Sequence, residues 1–267
     1  MDIKKRIENE IAKFFEEYQK SLGLDVKLWE EPVVGYADVN GEYIRNLRKN
    51  VHPEHQMPEE VLENASCVLV YYVPFTDEVV TGNDIEGLST PLWAMTYEYA
   101  NAMLGACNKH LIEVLKEEGY SGRIAPESLL FYREELKSHW SHRHFAYAAG
   151  LGTFGMNNMM LTEKGCSGRV ATLVTNLDVE CGKPIEEEIC LYKKDGSCGI
   201  CMEKCPVGAL TPEGFDRNKC HEQCDKNAYV HTQFGSSYET APGEECAKGS
   251  EVCGKCLTGL PCTFRRP

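Results

Sequence analysis

The chain has 267 residues, with 28 Lys and Arg against 41 Asp and Glu and a formal net charge of −13. Affinity for nucleic acid comes largely from cations set against phosphates, so this balance argues against a general nucleic-acid surface and leaves only a local basic patch open. A hydrophobic content of 42% suits a protein with an ordinary core, and the longest apolar run, Cys67 to Phe75, is far too short to cross a bilayer.

Residues 2–22 carry Ile3, Ile7, Ile11, Phe14, Phe15 and Tyr18 at helical spacing and read as an amphipathic helix stopped by Gly23. The opening MDIKKRIENEIAKFF has neither an apolar h-region nor a small-residue cleavage site, which points to a cytoplasmic protein with no membrane partner. Residues 58–65 read as a short helix opening on proline, and Cys67 to Val73 as a buried strand of β-branched and aromatic residues. Residues 91–119 carry the longest helical pattern, from Trp93 to Leu115 on a broad apolar face, and a second helix is expected over about 127–149. A strand pair follows, 159–161 and 170–176, turning at Lys164-Gly165. Mixed strands and helices imply an α/β or α+β core. Cysteines are sparse before residue 176 and dense after it, so the chain divides into an α/β domain over 1–176 and a cysteine-rich domain over 177–267.

Within the second helical stretch, His139, His142 and His144 lie close together. Imidazole titrates near neutrality, so His139 and His142 are candidate proton donors for a reduction; they also suit a metal, or a satisfied surface or core position. Arg143, Arg169, Arg265 and Arg266 are scattered and read as solvated or pairing residues. Gly150, Gly152 and Gly155 formally match a dinucleotide fingerprint. That fingerprint needs a strand before it and a helix after it, and here the order is reversed. A glycine corner joining helix to strand is the simpler reading.

Ten of the 14 cysteines then fall between residues 190 and 262. Cys198, Cys201, Cys205 and Pro206 match the last three cysteines and the proline of the two-cluster ferredoxin run, whose fourth cysteine ligates the neighbouring cluster. The first cysteine of that run is displaced: Asp195 holds its place, and Cys190 is the nearest upstream thiol. A longer loop costs only fractions of a kcal/mol, so Cys190, Cys198 and Cys201 are assigned to one 4Fe-4S cluster, with Asp195 as the rival ligand and Cys262 completing the set. Cys205, Cys220, Cys253 and Cys256 make the second 4Fe-4S cluster, in which Cys224 or Cys246 could replace Cys220. A disulfide framework does not suit a cytosolic chain, and zinc ribbons repeat paired C-x2-C units that are not matched here.

The stretches HRHFAYAAGLGTFGMNNMML, GRVATLVTNL, CGICMEKCPVGAL and CGKCLTGLPC together resemble the epoxyqueuosine reductase family, relatives of the corrinoid-dependent reductive dehalogenases. The resemblance runs from about residue 140 to the C-terminus and is carried most specifically by the glycine corner. It implies a nitroreductase-like α/β domain holding a cobalamin, followed by a ferredoxin-like domain with two 4Fe-4S clusters. It also implies that Gly150, Gly152, Gly155 and Asn157 lie near the corrinoid, and that a ferredoxin or flavodoxin donates electrons. Three departures stand out. Met156 replaces the family's lysine, and ELKSHWSHRH lacks its proton-donating aspartate. The chain also ends at Pro267 without the helical-repeat extension of tRNA-acting members. With the acidic charge, the last departure points to a small-molecule substrate and away from nucleic acid. An electron-transfer protein without its own substrate is the alternative.

Overall fold

The computed structural model describes residues 2–267. Its centre is the strand Cys67–Pro74, buried at every position. A strand covered on both faces is expected to read as a continuous apolar run, as this one does. Successive side chains point to opposite faces. Leu69, Tyr71 and Val73 enter one core with the helices Ile3–Ser21 and Pro91–Glu117. Val68, Val70 and Tyr72 enter another with the helix His142–Ala148.

This strand pairs antiparallel with Val33–Asp38 on one side, Asp38 opposite Cys67, and with Gly168–Thr175 on the other, Thr175 opposite Cys67. Gly122–Arg123 extends the four-stranded sheet beyond Gly168–Thr175. The first helix buries Ile7, Ile11 and Phe15, spaced four apart, and Asp2 accepts from its Lys4 N–H at 3.2 Å. The long helix opens on Pro91, with the Thr90 hydroxyl accepting from Trp93 N–H at 3.3 Å.

Three expectations differ from the structure. The helix expected over 127–149 is restricted to His142–Ala148; before it lie a single turn at Pro126–Ser128, a two-residue strand and an irregular loop. Serines account for much of this. Ser128 Oγ donates to Ala125 O, a local bond that offers the backbone an alternative to a helix, while Ser138 Oγ donates to Glu127 O across the loop. The two strands expected as a pair do not pair with each other. Met160–Thr162 pairs with Gly152–Phe154, and Gly168–Thr175 joins the main sheet. The helix expected over 58–65 is one turn, Pro58–Val61.

Beyond residue 176 the regular elements are short, apart from the helix Arg217–Val230. Leu173 and Tyr71 nevertheless share a packed cluster with Cys190, Cys201, Leu257 and Leu260, so the core runs unbroken across that point. Among the described residues no helix is long and apolar enough to cross a membrane.

Candidate functional site

Cys190, Cys198, Cys201 and Cys262 line one small cavity together with Gly155, Met156 and Asn157. The irregular gap after Cys190 is filled by a short helix, Leu191–Asp195, and Gly196 at φ 76° turns the chain back toward Cys198. Asp195 is exposed, and its carboxylate accepts from Ser197 N–H at 2.9 Å. Burial, then the charges of Cys262, Cys190 and Cys198, push the Cys201 thiol up to about 11. Four thiols crowding one point are costly as thiolates unless a cation joins them.

The second set converges in the same way. Burial, then Cys253, Cys220 and Cys205, hold the Cys256 thiol well above its usual range. Cys201 acts on it too, so the two sets are neighbours. Ala209 N–H donates to Cys205 Sγ at 3.2 Å, the kind of amide-to-sulfur bond that tunes a cluster. The loop Cys253-x2-Cys256 requires a glycine. Gly254 has φ 73°, and a Cβ there would sit 2.1 Å from the Trp93 ring. Cys224 lies one turn after Cys220, and its hydrogen bond draws the Cys220 thiol down to about 7. Cys246 is exposed, 3.4 Å from Thr240 Oγ1.

Cys166, which belongs to no spacing pattern, stands where the thiols meet the rest of the protein. Its Sγ is 3.9 Å from Cys262 Sγ, and Asn157 Nδ2 lies 3.8 Å from it while donating to Cys256 O at 2.9 Å. On its other side Cys166 lines a second, much larger cavity. The glycine corner forms the partition. Gly155 and Asn157 face the first thiol set and Met159 and Met160 face the large cavity. Gly150 and Gly152 pack against the protein's own backbone: a Cβ would lie 2.5 Å from Lys183 O and 2.2 Å from Leu161 O respectively.

The large cavity has a volume of about 650 Å³. Arg143, Arg169 and Arg217 line it, which corrects the reading of Arg143 and Arg169 as scattered surface charges. Burial, then the charges of Arg217 and Arg169, press the Arg143 pKa down. Arg143 donates to Asn158 O, and Arg169 lies 4.3 Å over the Tyr97 ring with Nε donating to Asn101 Oδ1 at 3.0 Å. Glu98 is the carboxylate closest in influence on Arg169, and burial raises its own pKa. The interior of this acidic protein is therefore locally basic.

Of the two expected proton donors, His142 lines this cavity and His139 does not. Trp140 Nε1 donates to Thr172 Oγ1 at 2.9 Å, and the same hydroxyl shares a hydrogen bond with His142 Nδ1, also at 2.9 Å. Burial, then Arg169 and Arg143, lower the His142 pKa to about 3. His142 is thus a neutral ring. His139 is buried between the Tyr132 and His52 rings, at centroid distances of 3.9 and 4.4 Å.

No family model matches the chain. A curated epoxyqueuosine reductase of Leadbetterella byssophila is 34% identical over 77 residues, 28% of this chain and 24% of that protein. Among solved structures, epoxyqueuosine reductase of Bacillus subtilis, with a catalytic loop swung out of its active site, matches at a TM-score of 0.53 and 18% identity. It covers 96% of this chain and 66% of that one. The enzyme of Streptococcus thermophilus matches at a TM-score of 0.51 and 18% identity, covering 100% and 68%. A further epoxyqueuosine reductase, solved with an epoxyqueuosine-modified tRNA stem loop, matches at a TM-score of 0.52 and 18% identity, covering 96% and 66%. The chain thus spans about two thirds of these structures, and its sequence match about a quarter of the curated relative. That nucleic-acid complex overturns the expectation of a small-molecule substrate with nucleic acid unlikely. Net charge summed over a whole chain does not report the charge of a cavity, and the three arginines are the local exception. The chain is thus similar in sequence to one epoxyqueuosine reductase over 77 residues and shares the fold of others.

Proposed function

We propose that this chain is an iron-sulfur reductase that carries electrons through two 4Fe-4S clusters to a cofactor in the large cavity and reduces a modified nucleotide of tRNA. The observation that carries this reading is the convergence of two thiol sets that adjoin through Cys201 and Cys256 and end at Cys166 on the cavity wall. The donor sets fit two cubanes: Cys190, Cys198, Cys201 and Cys262 for one, Cys205, Cys220, Cys253 and Cys256 for the other. A ferredoxin or flavodoxin is the matching one-electron donor.

The cavity's size and mixed lining also fit a corrinoid. Tyr72, Phe131 and Trp140 offer apolar walls, and Asn101 and Ser237 offer amide and hydroxyl groups for an amide-bearing rim. Such a cofactor would supply the reducing chemistry itself. The protein's part is placement. Gly155 and Asn157, backed by Met159 and Met160, form the wall between the first cluster and the cavity, and Gly150 and Gly152 let the corner pack closely on the protein's own backbone. Arg143, Arg169 and Arg217 provide guanidinium forks for phosphate oxygens of the substrate strand. His142, a neutral ring on the cavity wall, orients the group being reduced.

The test uses anaerobically purified protein with cobalamin, a low-potential reductant and a tRNA stem loop carrying epoxyqueuosine. Nucleoside mass spectrometry should show loss of the epoxide oxygen. No conversion by protein with a full iron complement would reject this substrate.

A further inference from the structure

We propose that His52, Glu135 and His139 bind one divalent transition-metal ion, zinc being the best match, at the rim of the large cavity. The site is separate from the cysteines and does not depend on the reductase reading.

The geometry comes first. His52 Nε2 lies 2.9 Å and His139 Nε2 3.3 Å from the same oxygen, Glu135 Oε2, and the three donor atoms all fall within 4.8 Å of one another. Ligand atoms about 2.0–2.2 Å from a tetrahedral ion stand roughly 3.2–3.6 Å apart, so modest adjustment brings these three around a common centre. The rings are already held. His139 is 5% exposed and sandwiched between Tyr132 and His52, at interplanar angles of 15° and 14°.

Charge points the same way. Glu54 Oε2 and Glu127 Oε2 lie 3.8 and 3.7 Å from His139 Nδ1, so three carboxylates surround two imidazoles. Among the described residues none of these carboxylates has a Lys or Arg in ion-pair range. A cation at Nε2 leaves Nδ1 to donate toward Glu127, which Tyr132 Oη fixes by donating to Glu127 Oε2 at 2.9 Å. A carboxylate behind a metal-bound histidine is the usual way its tautomer and ring orientation are set.

His52 borders the large cavity, so three protein ligands would leave the ion's remaining position open toward that side. Two histidines and one glutamate with an open position make the donor set of catalytic zinc sites, in which the ion holds a water or polarises an oxygen of a bound molecule.

The experiment uses holoprotein with both clusters in place, stripped of loose metal with a chelator and then titrated anaerobically with zinc. Wild type should take up one more equivalent of zinc than the H52A/H139A variant, with equal iron content in both. Zinc-edge absorption fine structure on the wild type should show nitrogen and oxygen neighbours and no sulfur. The milder substitution Glu127→Gln, which leaves all three ligands in place, should weaken binding by about tenfold or more, guarding against misfolding of the double variant. Equal zinc uptake by wild type and the double variant, or sulfur neighbours around the added ion, would overturn the site and leave a hydrogen-bonded histidine cluster.

Discussion

His55 offers a quantitative test of how the cavity helix is held. It is 0% exposed, and both ring nitrogens are occupied. Nε2 lies 3.1 Å from Ser141 N–H, which can only donate, so Nε2 is the acceptor and Nδ1 carries the proton to Gln56 O at 2.7 Å. Ser141 is the residue before the helix His142–Ala148, so this bond anchors the segment carrying His142 and Arg143. Protonating Nε2 would set two donors face to face in a buried site. Burial above all lowers the His55 pKa from 6.5 to about 4. Because the folded value lies below the unfolded one, the unfolded chain binds the proton first. The stability this ring contributes is complete above the unfolded pKa and declines as pH falls toward the folded one. At 1.36 kcal/mol per pKa unit the whole effect is about 3 kcal/mol, of which about 1 kcal/mol is lost between roughly pH 7.5 and 5.5. For a chain of this size that is about 3 °C in Tm. Anaerobic thermal melts at the two pH values should therefore show wild type losing about 3 °C more than His55→Gln, which keeps an acceptor but does not ionise. Equal losses in both proteins would refute the assigned tautomer and its energetic role.

Other substitutions probe the thiol sets and the cavity. Gly254→Ala combines a left-handed backbone, costing about 1–2 kcal/mol, with a Cβ placed inside the Trp93 ring. Iron analysis should show about half the wild-type content, because the Cys253–Cys256 loop no longer closes. Arg169→Gln should raise KM for the tRNA stem loop by about tenfold and lower the salt dependence of binding by about one charge, measured by titration at several ionic strengths. Cys166→Ser should retain full iron while slowing electron transfer from the clusters to the cavity, read by stopped-flow absorbance. Loss of iron in that variant would instead make Cys166 a cluster ligand.

The sequence carried much of this fold where short-range physics decides it. The run from Cys67 to Val73 identified the central strand because both faces are buried, and the spacing of Ile7, Ile11 and Phe15 identified the first helix. The cysteine spacing named thiols that the fold brings together, including the distant Cys190 and Cys262. What depends on tertiary contact was hidden. Nothing near Cys166 in sequence announces its approach to Cys262, 96 residues away. Arg143, Arg169 and Arg217 come from a helix, a strand and another helix, and only the fold gathers them. His139 and His142 were paired by proximity in the chain, yet one faces the cavity while the other joins His52 and Glu135 at its rim. The loop before the helix His142–Ala148 does not show in the apolar pattern, because a serine bond to a nearby carbonyl, Ser128 to Ala125, competes with helical ones and Ser138 bonds across the loop to Glu127 O.

We propose that eight of these thiolates hold two cubanes. Iron and acid-labile sulfide should be determined on protein purified without oxygen, alongside the Cys262→Ser and Cys256→Ser variants. Two clusters predict about eight iron and eight sulfide per chain, falling to about four in either variant. Stoichiometric zinc without sulfide, or four iron in the wild type, would contradict it.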